Sequence, residues 1–135
     1  MNFEHMPKIY TDGSCLNNPG AGGWAFILLE GTNMISKSGN QHNTTNNRME
    51  LKAIIEALSY SQGEEYVIYT DSQLTINCAT GKWRRKANID LWEEYDKALR
   101  SRNIHYVWVK GHNGNKYNEI VDDLARKEAK KTVKK

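Results

Sequence analysis

Short β-branched and aromatic runs alternate along this chain with longer stretches whose apolar residues return every three or four positions. The first run, Lys8 to Asp12, predicts a strand, and the Gly-, Asn- and Pro-rich segment Gly13 to Gly20 predicts a turn after it. Two further strands are expected near Trp24 to Leu29 and Met34 to Gly39. The short link Glu30-Gly31-Thr32-Asn33 between them favours an antiparallel meander. Asn46 is a fitting cap for a helix reaching about Ser61, ended by Gln62-Gly63 and followed by a strand at Tyr66 to Asp71. Helices are then expected over Ser72 to Ala79 and Ile89 to Ser101, a strand over Ile104 to Val109, and a last helix over Asn118 to Lys130. The order βββαβααβα requires strand–helix–strand crossovers, hence an α/β fold with a mixed five-stranded sheet flanked by helices.

Two of the strands carry nearly the same phrase. Ile9-Tyr10-Thr11-Asp12 returns as Ile68-Tyr69-Thr70-Asp71, each stopping at an aspartate followed by small residues. If these strands are parallel neighbours, both carboxylates project from one end of the sheet, where open α/β sheets bind ligands. Carboxylates held close repel one another unless a proton or a cation lies between them.

The pattern of the first helix adds a third acid. Met49, Ala53, Ile54, Ala57 and Leu58 form its apolar face, Lys52, Glu56 and Ser59 lie opposite, and Glu50 falls inside the apolar arc. A glutamate aimed at a core is costly unless paired, protonated or bound to a cation. Its ordinary explanation is an ion pair with Arg48 or a partly exposed edge position; the sharper one is that it joins Asp12 and Asp71. On the last helix, Val121, Leu124 and Ala125 face inward, with Tyr117 and Glu128 nearby. Asp122 sits at the margin of that face and Asp123 points away from it. The helix dipole alone could account for an acid near the first turn, so Asp122 has both a structural and a ligand reading. Oxygen-only ligands suit Mg²⁺ or Mn²⁺.

Composition narrows the setting. The chain has 135 residues, 39% hydrophobic and 26% charged, as expected for one globular domain, with a folded core over about 7–130 and a basic tail after it. No run is apolar enough to span a membrane, and Met1 to Met6 lacks the features of a secretory signal, so a cytoplasmic setting is expected. Cys15 and Cys78 form no CxxC pair and are expected to be free thiols. The net charge of +3 is modest, but it is concentrated in Lys82-Trp83-Arg84-Arg85-Lys86 and at the C-terminal end. A tryptophan within a basic cluster suits phosphate contact combined with stacking on a sugar or base. His112, in Lys110-Gly111-His112-Asn113-Gly114 just ahead of the last helix, is either a surface residue or a proton shuttle.

Five stretches in order resemble type 1 ribonuclease H. They are Thr11-Asp12-Gly13-Ser14-Cys15, Thr44 to Leu51 (TTNNRMEL), Thr70-Asp71-Ser72-Gln73, Val109-Lys110-Gly111-His112 and Asp122-Asp123-Leu124-Ala125-Arg126. The resemblance covers nearly the whole chain and implies a ribonuclease H-like fold. It also implies metal-dependent cleavage of the RNA strand of an RNA–DNA hybrid, leaving 5′-phosphate and 3′-hydroxyl ends, with Mg²⁺ as cofactor and Mn²⁺ as a substitute. By that resemblance Asp12, Glu50, Asp71 and Asp122 are the acidic metal-binding quartet and His112 assists turnover. Asn18, Asn46 and Gln73 resemble residues that contact RNA, where the 2′-hydroxyl distinguishes it from DNA. Thr45, Arg48 and Asn88 resemble a pocket for a DNA phosphate, and Asn118 and Glu119 support Asp122 or the histidine loop.

Between Asp71 and Asp90 this chain lacks the extra basic helix and loop of better-known members, and it shows no separate N-terminal hybrid-binding domain. Trp83 can be aligned either with the tryptophan of the DNA channel or with one in the lost clasp. Hybrid binding is then expected to be weak and salt-sensitive, leaning on Arg84, Arg85 and Lys86, in a monomer that needs no membrane. Integrases, resolvases and exonucleases also place acids on such sheets, and a hybrid-binding module with a decayed centre is a non-enzymatic alternative.

Overall fold

The computed structural model describes residues 5–110 and 115–133. Its elements are β1 (Lys8–Cys15), β2 (Gly20–Glu30), β3 (Asn33–Thr44), α1 (Asn46–Tyr60), β4 (Glu65–Thr70), α2 (Gln73–Ala79), α3 (Ile89–Leu99), β5 (Asn103–Trp108) and α4 (Lys116–Lys131). The order is the expected βββαβααβα. The five strands form one sheet in the order β3-β2-β1-β4-β5. β1, β2 and β3 pair antiparallel, whereas β4 and β5 run parallel to β1.

The repeated phrase is in register. Ile9 pairs with Ile68 and Tyr10 with Tyr69, so Asp12 and Asp71 each lie two residues beyond a paired tyrosine. The two rings stack with centroids 4.6 Å apart. Alternation along β1 then sends Ile9 to one face of the sheet and Tyr10 to the other. On the first face Ile9, Phe26, Leu28 and Ile68 pack with Ile54 and Leu58 of α1 and with Trp92 and Tyr95 of α3. On the second, Tyr10, Ala25 and Ile27 pack with Val121 and Ala125 of α4.

Several boundaries differ from the sequence expectation, each for a local reason. The segment 13–20 is not a long turn: β1 continues to Cys15, pairing Gly13 with Trp24 and Cys15 with Gly22, and only 16–19 turn. Asp12 therefore sits inside a strand. Thr45, not Asn46, caps α1, its hydroxyl accepting from the Arg48 N–H at 3.3 Å. Asn115 caps α4, which starts earlier than expected, by accepting from the Asn118 N–H at 2.9 Å. α3 stops at Leu99 because Arg100 and Ser101 adopt left-handed backbone, at φ 46° and 61°. Besides its five expected inward residues, α1 also buries Leu51 and Ile55, because α3 covers its second side.

At the end of the sheet where β4 and β5 begin, Arg102 is buried and all three guanidinium nitrogens donate. Nη2 reaches the Leu58 and Ala98 carbonyls, both at 2.6 Å, Nη1 reaches Ser61 and Gly63, and Nε reaches Leu99. One side chain thus satisfies the carbonyl ends of both α1 and α3. Among the described residues no helix is long and apolar enough to cross a membrane.

Candidate active site

Three carboxylates converge at the opposite end of the same strands. One oxygen each from Asp12, Glu50 and Asp71 lies within 4.8 Å of the others. Asp12 arrives from β1, Asp71 from the residue after β4, and Glu50 from just past the first turn of α1. The approach of α1 depends on Gly13: a Cβ there would overlap the backbone of Met49 and Glu50. With only hydrogen at that position, α1 rests on the β1 backbone and Glu50 is carried to Asp12. Gly23 does the same for α4, since a Cβ there would meet the Ala125 carbonyl and the Ala129 amide. That seats the helix bearing Asp122 against β1 and β2.

The cluster is electrostatically unresolved. Burial, then the charges of Asp71 and Asp122, push Asp12 from its ordinary 3.8 up to about 8, against a single opposing hydrogen bond from the Gly13 N–H at 2.9 Å. Burial, then Asp12 and Asp71, push Glu50 well above the usual carboxylate range. Glu50 Oε1 is buried with no hydrogen-bond partner among the described residues. The ion pair with Arg48 does not form, because Arg48 directs its guanidinium to Asp90 at 2.8 Å instead, while Glu50 as a whole residue is half-buried, as an edge position would be. An oxygen buried and unpartnered among the described residues, in a set of three hard donors, fits a divalent cation, and the all-oxygen character of that described set favours Mg²⁺ or Mn²⁺ over zinc.

Asp122 lies at the rim. It acts on Asp12 from α4 and pairs with Arg126 one turn on, at 3.1 Å, while Asp123 pairs with Lys127 in the outward position expected of it. His112 lies outside the described residues. Asn118 is buried one turn before Asp122, its Oδ1 unpartnered among the described residues.

The expected substrate contacts divide. Asn18 and Asn46 come together, the Asn18 carbonyl oxygen accepting from the Asn46 N–H at 2.9 Å, and Gln73 is exposed at the start of α2. Thr45, Arg48 and Asn88 are near neighbours: Thr45 accepts from the Arg48 N–H, and Arg48 Nη1 donates to Asn88 Oδ1 at 3.2 Å. Trp83, Arg84 and Lys86 line one cavity of about 630 Å³, floored by Leu51, Cys78 and Trp92. Arg85 bonds within the fold. Its Nε donates to the Cys78 carbonyl, Nη1 bonds both oxygens of Asp96, and the guanidinium lies 4.3 Å from the Trp92 ring centre. The Arg85 guanidinium is thus held against α2 and α3, much as that of Arg48 is held by Asp90. Cys15 and Cys78 are free thiols, as expected.

Sequence reasoning missed Trp108. Half-exposed at the end of β5, it donates its indole N–H to the Asp71 carbonyl at 3.1 Å, and the neighbouring Val109 N–H bonds Thr70. These bonds hold the backbone that carries Asp71. A lone aromatic at a strand end gives no sequence signal of such a role.

The profile of the RNase H family matches residues 5–130. A ribonuclease HI of Campylobacter jejuni is 46% identical over 142 residues, covering 98% of this chain and 96% of the relative. A ribonuclease HI of Helicobacter pylori is 43% identical over 136 residues, covering 94% and 95%. Among solved structures, the N-terminal RNase H domain of a Mycobacterium tuberculosis protein superposes with a TM-score of 0.84 at 22% identity, covering 93% of this chain and 94% of that one. LC11-RNase H1, solved in complex with an RNA/DNA hybrid, superposes with a TM-score of 0.80 at 23% identity, covering 95% and 99%. The fold is that of these structures, and by sequence the chain belongs to the ribonuclease H family of nucleases.

Proposed function

We propose that this chain is a metal-dependent endonuclease that hydrolyses the RNA strand of RNA–DNA hybrids to 5′-phosphate and 3′-hydroxyl ends. The observation that carries the reading is the cluster of buried Asp12 with half-buried Glu50 and Asp71, and its Glu50 oxygen unpartnered among the described residues, in a chain of this family. A hybrid is also the ligand of LC11-RNase H1, which shares the fold. Asp12, Glu50, Asp71 and Asp122 would hold Mg²⁺, with Mn²⁺ as substitute. When bound, a pair of such ions supplies an activated water and stabilises the leaving oxygen of the phosphodiester.

The remaining roles belong to the chain's own groups. Asn18 and Asn46, already bonded to each other, and the exposed Gln73 offer amides to 2′-hydroxyls. Thr45, Arg48 and Asn88 receive a phosphate of the DNA strand. Trp83, Arg84 and Lys86 grip the duplex beside the cavity, and His112 moves a proton during turnover. The unit is a single domain over 1–135, acting as a monomer in the cytoplasm without a membrane partner.

The test is cleavage of labelled duplexes, RNA–DNA against all-RNA and all-DNA, in Mg²⁺, in Mn²⁺ and in chelator. Cleavage confined to the RNA of the hybrid and abolished by chelator is expected; cutting of all-DNA, or full activity in chelator, refutes the reading. Replacing Arg84 and Lys86 by Gln should weaken hybrid binding and flatten its log–log salt slope by up to about 2.

A further inference from the structure

The guanidinium proposed to meet DNA phosphate is already holding an anion. Arg48 Nη1 and Nη2 bond the two carboxylate oxygens of Asp90 at 3.0 and 2.8 Å, in two parallel bonds. A third bond ties Nη1 to Asn88. This fork-to-fork geometry is the one by which arginine takes a phosphate, so the carboxylate occupies the place a phosphate oxygen pair would take. Asp90 is the second residue of α3 and is bound across 42 residues of sequence to α1. Its side chain is 62% exposed, against 26% for Arg48, so Asp90 stands on the solvent side of the pair. Arg48 holds the Asp90 carboxyl down at about 2, which keeps it charged at any working pH. The pair therefore presents no net charge to an approaching strand.

We infer that Asp90 is a built-in competitor for the Arg48 anion site, which must release the guanidinium before a DNA phosphate can be bound there in full. The inference rests on the reading of Arg48 as a phosphate contact and deepens it. Binding at this position exchanges one ion pair for another, so it contributes less affinity and less counterion release than a free arginine would. Asp90 thereby sets how tightly the hybrid is held and how sharply salt weakens it. A loose grip suits turnover, because a cleaved duplex must leave.

The test is a two-by-two series of the full chain: unchanged, Asp90→Asn, Arg48→Ala and the double variant. Each is titrated onto a labelled RNA–DNA hybrid by anisotropy, in chelator, at several salt concentrations, with the hybrid recovered intact afterwards. Asp90→Asn keeps the size of the side chain and removes its charge. It should bind roughly two- to fivefold tighter, in the range that exposed ion pairs span. Its log–log salt slope should be steeper by up to about 0.9, equivalent to one phosphate contact. Asp90→Ser should change in the same direction, and thermal melts check that both fold. In the Arg48→Ala background, Asp90→Asn should change nothing. Weaker or unchanged binding by Asp90→Asn overturns the inference, because Asp90 would then orient Arg48 or be idle. If Arg48→Ala itself leaves affinity and slope unchanged, the phosphate reading of Arg48 fails, whatever Asp90 does.

Discussion

Two ends of the same parallel strands treat buried charge in opposite ways. At the end where β4 and β5 start, Arg102 brings one buried cation and meets a carbonyl or hydroxyl with each of its nitrogens. At the other end, Asp12, Glu50 and Asp71 bring three carboxyl groups together and leave a buried oxygen without a partner among the described residues. Burial raises the cost of a charge in both places, yet among the described residues only the first is settled. The difference teaches where to look for chemistry: a buried charge the fold has answered is structural, and one it has left unanswered awaits something from outside.

This contrast can be broken most decisively at Asp71. Asp71→Asn should lower hybrid cleavage in Mg²⁺ by more than about a hundredfold. In chelator it should also raise the melting temperature, since the Asp71 charge that makes Asp12 and Glu50 harder to ionise is gone. Retained activity, or a lower melting temperature, would remove the acidic end from its role. Arg102→Ala should do the reverse, lowering unfolding free energy by about 3–5 kcal/mol while kcat measured well below the melt stays unchanged. Denaturant titration alongside single-temperature kinetics separates the two quantities. Gly13→Ala should cost about 1–3 kcal/mol by pushing α1 away from β1, and activity should fall with it because Glu50 moves too. Smallest when counted per step is a slope with pH. Below about pH 4 both folded and unfolded chains hold the Asp12 proton, and between about 4 and 8 only the folded chain does. Stability of the metal-free protein should therefore fall with rising pH across that window, by on the order of 1 kcal/mol per unit, with Glu50 adding in the same direction. Mg²⁺ should flatten the slope; a melting temperature that instead rises from pH 4 to 8 in chelator would reverse the sign argued here.

The acidic end was legible in the sequence and the basic end was not. A repeated strand phrase and an acid within an apolar helical face are local patterns, and each marked a carboxylate that the structure brings to the cluster. Arg102 stands in Arg100-Ser101-Arg102-Asn103, which reads as a polar turn facing water. Its partners come from α1 and α3, and pairing between distant segments leaves no periodicity. The same limit hid the engagement of Arg85 with Asp96 and Trp92, the pairing of Arg48 with Asp90, and the Trp108 bond to the Asp71 backbone. The extension of β1 through Gly13 to Cys15 was hidden differently. Glycine near asparagine and proline signals a turn, and here close packing of α1 and β2 overrides that preference.

The seating of α1 on the bare backbone at Gly13 has a consequence for how such a protein can change. Asp12 and Glu50 are spaced by main chain resting on main chain, with no side chain between them to act as a shim. Core residues farther along α1, such as Ile54 and Leu58, can then be exchanged among apolar types over generations without moving the carboxylates. The spacing of the site and the drift of the core are inherited separately, and a single hydrogen atom keeps them apart.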